Sequence, residues 1–335
     1  MNLKSISTIL CLASIVLSGC KKEEEETKPI LLGEVKFADL PSYVKKGESF
    51  HITVSGAYRE DGSTLVGYRY RDPLKAVYDT LRRENEEGPV EFDFVISKDT
   101  LGTFGLGVHA FATGYYGISK YSFFTVVNSS LGEKGSLSKH PFGSALKTTI
   151  ADGRDGKSYY ITTVGGKSWM AQNLAYSANG TMGRPYEDSE AMNDIFGRYY
   201  SHDEALTACP EGWKLPSDAD FVALAGSGNV REKILDVAGA LKGDVYFNGE
   251  QLWPYQNSSI KVNNTSLFTA LPLGYLSLHA GVSTFYDYGA SAIFWTSDAV
   301  DAERSLVRYL RVDSNDLFVE GLDNGLRASV RCIKE

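Results

Sequence analysis

From residue 50 onward the chain alternates apolar and polar positions with a period of two. Phe50, Ile52 and Val54 alternate with His51, Thr53 and Ser55, and Val66, Tyr68 and Tyr70 with Gly67 and Arg69. Phe92 and Phe94 flank Asp93, and Val108, Ala110 and Ala112 alternate with His109, Phe111 and Thr113. Each run buries one face of a strand and wets the other. Turn-forming residues separate the runs: Lys46-Gly47, Asp61-Gly62, Gly88-Pro89, Gly114 and Gly117. About six or seven short strands in ~100 residues predict an all-β, immunoglobulin-like sandwich, which we assign to residues 31–128. One stretch breaks the pattern. Leu74, Val77, Tyr78 and Leu81 follow helical spacing after Asp72-Pro73, which predicts a short helix crossing between sheets. His51 and His109 stand singly on strand faces and read as surface or packing residues.

Periodicity is lost over residues 129–148, rich in Gly, Ser and Lys around Pro141, and this segment is expected to be a linker. The second half, residues 149–335, mixes periods. Asp152-Gly153 and Asp155-Gly156 are turn pairs ahead of an alternating strand from Ser158 to Val164. Aspartates beside glycines are also a calcium-binding composition, but the glutamate that ends an EF-hand loop is absent, so the turn is preferred. A helix runs from a cap at Asp203 to Ala208. A second starts at Ser217, with Asp220 three residues on as in a capping box, and runs to Ala225. Val230, Ile234, Leu235 and Leu241 mark a third, stopped by Gly243. Short aromatic strands follow from Asp244. This half is therefore expected to be α+β and loop-rich, with two or three helices against an antiparallel sheet.

The N-terminus has a different pattern. Lys4 precedes a mostly apolar run from Ile6 to Leu17, and Leu17-Ser18-Gly19-Cys20 leads at once into Lys21-Lys22-Glu23-Glu24-Glu25-Glu26. A charged, then apolar, then small-residue order is that of a secretory signal, and the run is shorter than the roughly 20 residues a spanning helix needs. The junction resembles a bacterial lipoprotein processing site. Residues 1–19 are then a signal peptide and Cys20 the lipid attachment point. Acyl chains would hold the protein to a membrane at about 0.8 kcal/mol per buried methylene. Residues 20–30 are expected to be an acidic, solvated tether. The glutamate run also resembles the surface-export signal of Bacteroidetes lipoproteins, which implies an outer-membrane lipoprotein facing outward.

The formal charge is −8, and −9 once residues 1–19, whose only charged side chain is Lys4, are removed. An acidic chain without a basic patch argues against nucleic acid and against electrostatic binding to anionic lipid. Aromatic residues make up 12% of the chain, with 20 Tyr and 16 Phe, which reinforces the strand reading. Of the four cysteines, Cys11 lies in the signal and Cys20 carries lipid, leaving Cys209 and Cys332. An even remainder in an oxidising compartment predicts a disulfide. Neither has a neighbouring Cys or His at metal-ligand spacing, and there is no Cys-x-x-Cys redox pair. No metal and no cofactor are expected.

The second half carries a series of recognisable segments. Lys167-Ser168-Trp169-Met170-Ala171-Gln172-Asn173-Leu174 is followed by Gly197-Arg198-Tyr199-Tyr200 and Cys209-Pro210-Glu211-Gly212-Trp213-Lys214-Leu215-Pro216-Ser217. Then come Ala270-Leu271-Pro272-Leu273-Gly274-Tyr275, Phe294-Trp295-Thr296-Ser297 and Ser329-Val330-Arg331-Cys332-Ile333-Lys334. In this order they resemble the Fibrobacter succinogenes major paralogous domain. The resemblance covers nearly all of residues 150–335 and implies a secreted or surface lipoprotein module without an established activity. More distantly, Gly-Trp-x-Leu-Pro and Val-Arg-Cys are similar to segments of C-type-lectin-like and formylglycine-generating-enzyme-like folds. That likeness implies a C-type-lectin-like domain whose long disulfide ties the first helix region to the last strand.

Catalytic signatures are missing. There is no Gly-x-Ser-x-Gly elbow, no complete Gly-x-x-x-x-Gly-Lys-Ser/Thr phosphate-binding loop and no His-Glu-x-x-His helix. His202, Asp203 and Glu204 are consecutive, would point in different directions on a helix, and read as a capped helix start. The Glu-Pro-Asn, Gln-Pro-Asp and Trp-Asn-Asp segments of calcium-dependent lectins are absent. A carboxylate pair for glycoside cleavage is not visible in sequence. Trp169, Trp213 and Trp295, among apolar neighbours, are assigned to the core. Trp253, Tyr255, Tyr275, Tyr286 and Tyr288 lie in loop-like context between Asp244 and Tyr288 and are the candidate ligand contacts. The expected function is binding or adhesion to a glycan or to a host or envelope protein. A structural part in a surface fibre or envelope complex is the alternative, and a glycan-processing enzyme the second alternative.

Overall fold

A computed structural model describes residues 28–75, 77–96, 100–128, 136–226, 233–254 and 259–334; Cys20, the segment read as a signal peptide and most of the expected tether lie outside them. The first half forms β1 (Leu32–Ala38), β2 (Tyr43–Lys45), β3 (Ser49–Tyr58), β4 (Gly67–Arg71), β5 (Tyr78–Arg82), β6 (Val90–Val95), β7 (Gly102–Phe111) and β8 (Ile118–Val127). One sheet has the order β1-β3-β6 and the other β2-β8-β7-β4-β5. All pairs are antiparallel except β2 with β8. The inward residues of both sheets, Ile52 and Val54 on β3, Phe94 on β6, Val108 and Ala110 on β7 and Phe124 on β8, share one core, so the two sheets form a β-sandwich. The period-two reading picked all of these residues but Phe124, whose strand it did not single out. Phe50, Phe94 and Phe124 pack edge-to-face or tilted at 5.3–5.5 Å, a geometry favoured by the ring quadrupoles.

The expected helix around residues 74–81 is absent. Asp72 accepts the backbone N–H groups of Leu74 and Lys75, which holds a turn there, and β5 then pairs with β4. Arg82 fixes the strand by donating to the carbonyls of Thr64, Val66 and Gly88. A helix would have left the β4 edge without partners, and tertiary pairing overrides the local spacing.

The second half adds β9 (Leu137–Ser138), β10 (Thr149–Ala151), β11 (Ser158–Val164), β12 (Lys167–Met170), β13 (Arg184–Pro185), α1 (Asn193–Phe196), β14 (Arg198–Tyr200), α2 (His202–Ala208) and α3 (Asp218–Leu224). It continues with β15 (Lys233–Ile234), α4 (Ala238–Leu241), β16 (Tyr246–Phe247), β17 (Glu250–Gln251), β18 (Tyr275–His279), β19 (Val282–Tyr286), β20 (Ser291–Ala299), β21 (Arg304–Arg311), β22 (Leu317–Asp323), β23 (Ala328–Ser329) and β24 (Ile333–Lys334). The main sheet runs β13-β14-β23-β20-β21-β22-β15, and a second runs β10-β11-β12-β24. Strand dominates, and the helices are short. Both α2 and α3 open with capping boxes, Ser201 with Glu204 and Ser217 with Asp220. The first lies two residues ahead of the expected cap at Asp203. The third expected helix shrinks to α4, with Ile234 in a strand; Val230 falls outside the described residues.

Two internal ties hold this half. Cys209 and Cys332 are disulfide-bonded, with Cα atoms 5.7 Å apart, joining the end of α2 to the approach to β24. Arg331 beside it is fully buried. It donates to Asn173 Oδ1 and to the carbonyls of Met170, Phe268 and Thr269. Burial pushes its pKa down to about 9, so it keeps its charge at neutral pH without a carboxylate partner.

From Ser136 onward the segment expected to be a linker packs on the second half. β9 pairs with β16, and Phe142 and Leu146 bury against Ala171. Val127, the last residue of β8, belongs to the same core cluster as Phe196 and Phe247. Tyr43 on β2 lies 6.0 Å from the Tyr186 ring and accepts Ser189 Oγ at its carbonyl. Glycine and serine in this stretch masked the apolar anchors Leu137, Phe142 and Leu146.

Candidate functional site

The sheet β20-β21-β22 is covered on both faces, but unevenly. Ala292, Phe294, Leu310 and Leu317 point into one core, while Ile293, Trp295 and Val307 point into another. Alternation along each strand forces this split. Towards the β18 end the second face opens into a cleft of 520 Å3. Ser291 and Ile293 of β20, Val307, Tyr309 and Arg311 of β21, and Glu320 and Leu322 of β22 line it, with Tyr275, Asp287 and Asp313 at its sides. Register explains the grouping: Ser291 faces Arg311, Ile293 faces Tyr309, and Val307 faces Glu320.

Two aromatic stacks border the cleft. Tyr309 stacks on Phe318 at 5.1 Å, and Tyr275 on Tyr286 at 5.0 Å. Burial raises the Tyr309 pKa, and the nearby Glu320 carboxylate raises it further. Burial and then Asp287 do the same for Tyr275. Both hydroxyls therefore stay protonated as donors. Arg311 donates twice to Asp313, at 2.9 and 2.7 Å, and that hydrogen-bonded guanidinium holds the Asp313 carboxyl below the usual range. Ser291 is 6% exposed and its Oγ has no hydrogen-bond partner among the described residues. The lining thus combines flat aromatic surface, hydroxyls and an excess of carboxylates over cations, a set suited to a neutral or cationic polar ligand.

The expected contact aromatics divide. Tyr275 and Tyr286 come together at the cleft. Tyr288 stacks instead on Tyr186 at 4.9 Å, beside Phe196, on a different cluster. Trp253 is not a contact residue: it is 1% exposed and donates Nε1 to the Ala270 carbonyl at 2.8 Å. Its apolar ring fills the core between α4 and Phe268. Tyr255 lies outside the described residues. Sequence reasoning missed Ser291, Tyr309, Arg311 and Glu320. The signal was present in the alternation of Val307, Tyr309 and Arg311, which puts polar tips on one face of a strand otherwise buried.

Other sequence candidates take structural parts. His202 is buried, with its ring nitrogens on the Thr296 carbonyl and Ser305 Oγ, and Glu204 serves the cap and Arg327. Asp152 holds Arg154 through both carboxylate oxygens, as a turn requires. His51 meets Asp93, and His109 meets Ser119. Among the described residues, no group of three or more His, Cys, Asp or Glu side chains is placed to hold a metal ion.

The second half is thus a disulfide-closed, mostly β module with an aromatic, acidic cleft on its main sheet. Residues 162–334, more than half of the chain, match the Fibrobacter succinogenes major domain, and the chain belongs to that family. No curated protein matches the chain, and no solved structure does.

Proposed function

We propose that this protein is a lipid-anchored surface lipoprotein that binds extracellular glycan through the cleft on β20-β21-β22. The observation that carries this reading is the pairing of Tyr275 and Tyr309 with carboxylates and an unpartnered, buried Ser291 hydroxyl in one cleft. Sugars present apolar ring faces to aromatics and hydroxyls to such groups. Three carboxylates, Asp287, Asp313 and Glu320, outnumber Arg311, which favours neutral or amino sugars over sulfated or uronate-rich chains. The reading is one of binding rather than turnover. Cys20 supplies the anchor, residues 20–30 the tether and the sandwich, read as immunoglobulin-like, the spacer. The disulfide from α2 to the last strands supports a C-type-lectin-like reading of the second half.

A glycan array probed with the full chain carrying Cys20→Ser tests this. Neutral or amino-sugar oligosaccharides should bind, and Tyr309→Ala should weaken the signal about tenfold or more. Empty arrays, together with release of reducing ends from any polysaccharide, would replace binding with catalysis.

One observation favours the structural alternative. Tyr78, Tyr121 and Phe123 are 59–68% exposed on the sandwich, and the Tyr121 and Phe123 rings lie over Gly107 and Gly105 of the neighbouring strand. This aromatic face suits a protein neighbour in a surface assembly. Cross-linking on intact cells, followed by recovery of a stoichiometric partner lost in Phe123→Lys, would favour it.

A further inference from the structure

A second cavity, of 290 Å3, shares no lining residue with the acidic cleft. Its charged lining residues are Lys157, Asp194 and Arg331. Lys157 pairs with Asp194, and Lys45 of β2 lies 3.7 Å from the same carboxylate. Arg331 beneath has only carbonyl and amide acceptors. Two lysines therefore share one carboxylate, and Arg331 adds a further positive charge to the cavity lining, within a chain that is acidic as a whole. Asn193 lines the cavity at 6% exposure, and its side-chain oxygen has no hydrogen-bond partner among the described residues. A buried acceptor left unpaired is costly and calls for an O–H or N–H donor. Leu137, Phe142 and Leu271 supply an apolar wall.

We infer that this cavity binds one acidic sugar unit, a small hydroxylated carboxylate. The excess positive charge takes the carboxylate at Lys157, a hydroxyl donates to Asn193 Oδ1, and the ring lies on the apolar wall. The volume is at the low end for ligand sites, enough for a single residue and not a chain. The inference does not rest on the cleft, whose charge is of the opposite sign.

Isothermal titration of the full chain carrying Cys20→Ser, with free glucuronate, with an oligosaccharide ending in glucuronate, and, in a Tyr309→Ala background that weakens the cleft, with glucose, tests it. Either acid should bind while glucose does not; the tighter of the two identifies a free acid or a glycan end. Lys157→Glu should weaken the acid by about a hundredfold, since a charge-assisted contact becomes repulsive. Asn193→Ala should weaken it about fivefold, the value of one hydrogen bond. Tyr309→Ala should leave it unchanged. Tryptophan fluorescence confirms that each variant is folded, and Lys157→Gln replaces Lys157→Glu if that variant is not. The inference is overturned if neither acid binds, if glucose binds equally, if the folded Lys157 and Asn193 variants bind as the parent does, or if Tyr309→Ala removes the acid.

Discussion

Reducing the Cys209–Cys332 bond should destabilise the second half while leaving its fold intact in the absence of denaturant. The bond spans 123 residues of sequence. In the chain-entropy model, opening a loop of that length releases about 5 kcal/mol of denatured-state constraint. Residual structure in the unfolded chain lowers this, so ~3–5 kcal/mol is expected. The assay is urea unfolding followed by tryptophan fluorescence, with and without reductant. All four tryptophans lie beyond residue 150, and Trp169, Trp253 and Trp295 are fully buried, so the signal reports this half alone. With an m-value of roughly 2–3 kcal/mol/M, the midpoint should fall by roughly 1–2 M. A shift worth under about 1 kcal/mol, with both thiols shown free by mass spectrometry, would refute the claim that the bridge constrains the fold.

Trp253→Ala should cost about 3–5 kcal/mol of stability while glycan binding, measured well below the melting temperature, is retained; a contact role for Trp253 predicts the reverse. Tyr309→Ala, on the cleft rim, should lower glycan affinity about tenfold or more with a change in melting temperature of only a few degrees. Lys242 is buried under the Trp253 ring, and desolvation lowers its pKa from 10.5 to about 8. Between those values the unfolded chain holds a proton that the folded chain has lost, so stability rises with pH across that window, by at most about 3 kcal/mol. Lys242→Met should flatten this rise, read by urea unfolding between pH ~7.5 and ~9.5, below the range where buried tyrosines act in the opposite sense. Metabolic labelling with a radioactive fatty acid should mark the protein and be lost in Cys20→Ser; labelling that persists would place the anchor elsewhere.

The strands of the sandwich were legible because a half-buried strand writes its two faces into alternate residues, as Ile52 and Val54 do against His51 and Thr53. The Ser217-Asp220 capping box was legible because it is local chemistry, whereas the Ser201-Glu204 box was passed over for a cap at Asp203, two residues further on. The stretch around Tyr78 was misread because its spacing is helical, and only its pairing with β4, just upstream at Arg71, makes it a strand. The packing of residues 136–148 was hidden because Leu137 pairs with Phe247, more than a hundred residues on, and Phe142 stacks on Tyr160 of β11. The cleft was half legible. Tyr275 and Tyr286 were found by composition, whereas Tyr309, Arg311 and Glu320 sit within strands, where a polar tip looks like ordinary alternation until the neighbouring cover stops short.

The passage from the sandwich to the second half also has a mechanical meaning. Asn128 and Ser136 clasp each other, the Ser136 N–H donating to the Asn128 carbonyl at 3.0 Å and the Asn128 N–H to Ser136 Oγ at 2.5 Å. Around this clasp Val127 is buried in the second core, and Tyr43 and Lys45 reach across to Tyr186, Ser189 and Asp194. Tension applied between the first half and the main sheet must cross here. It is shared between a covalent path and side-by-side contacts that would have to slide before the halves could part. The junction therefore transmits force as a stiff coupling, and a pull too weak to unfold either half should fail to stretch the molecule between them.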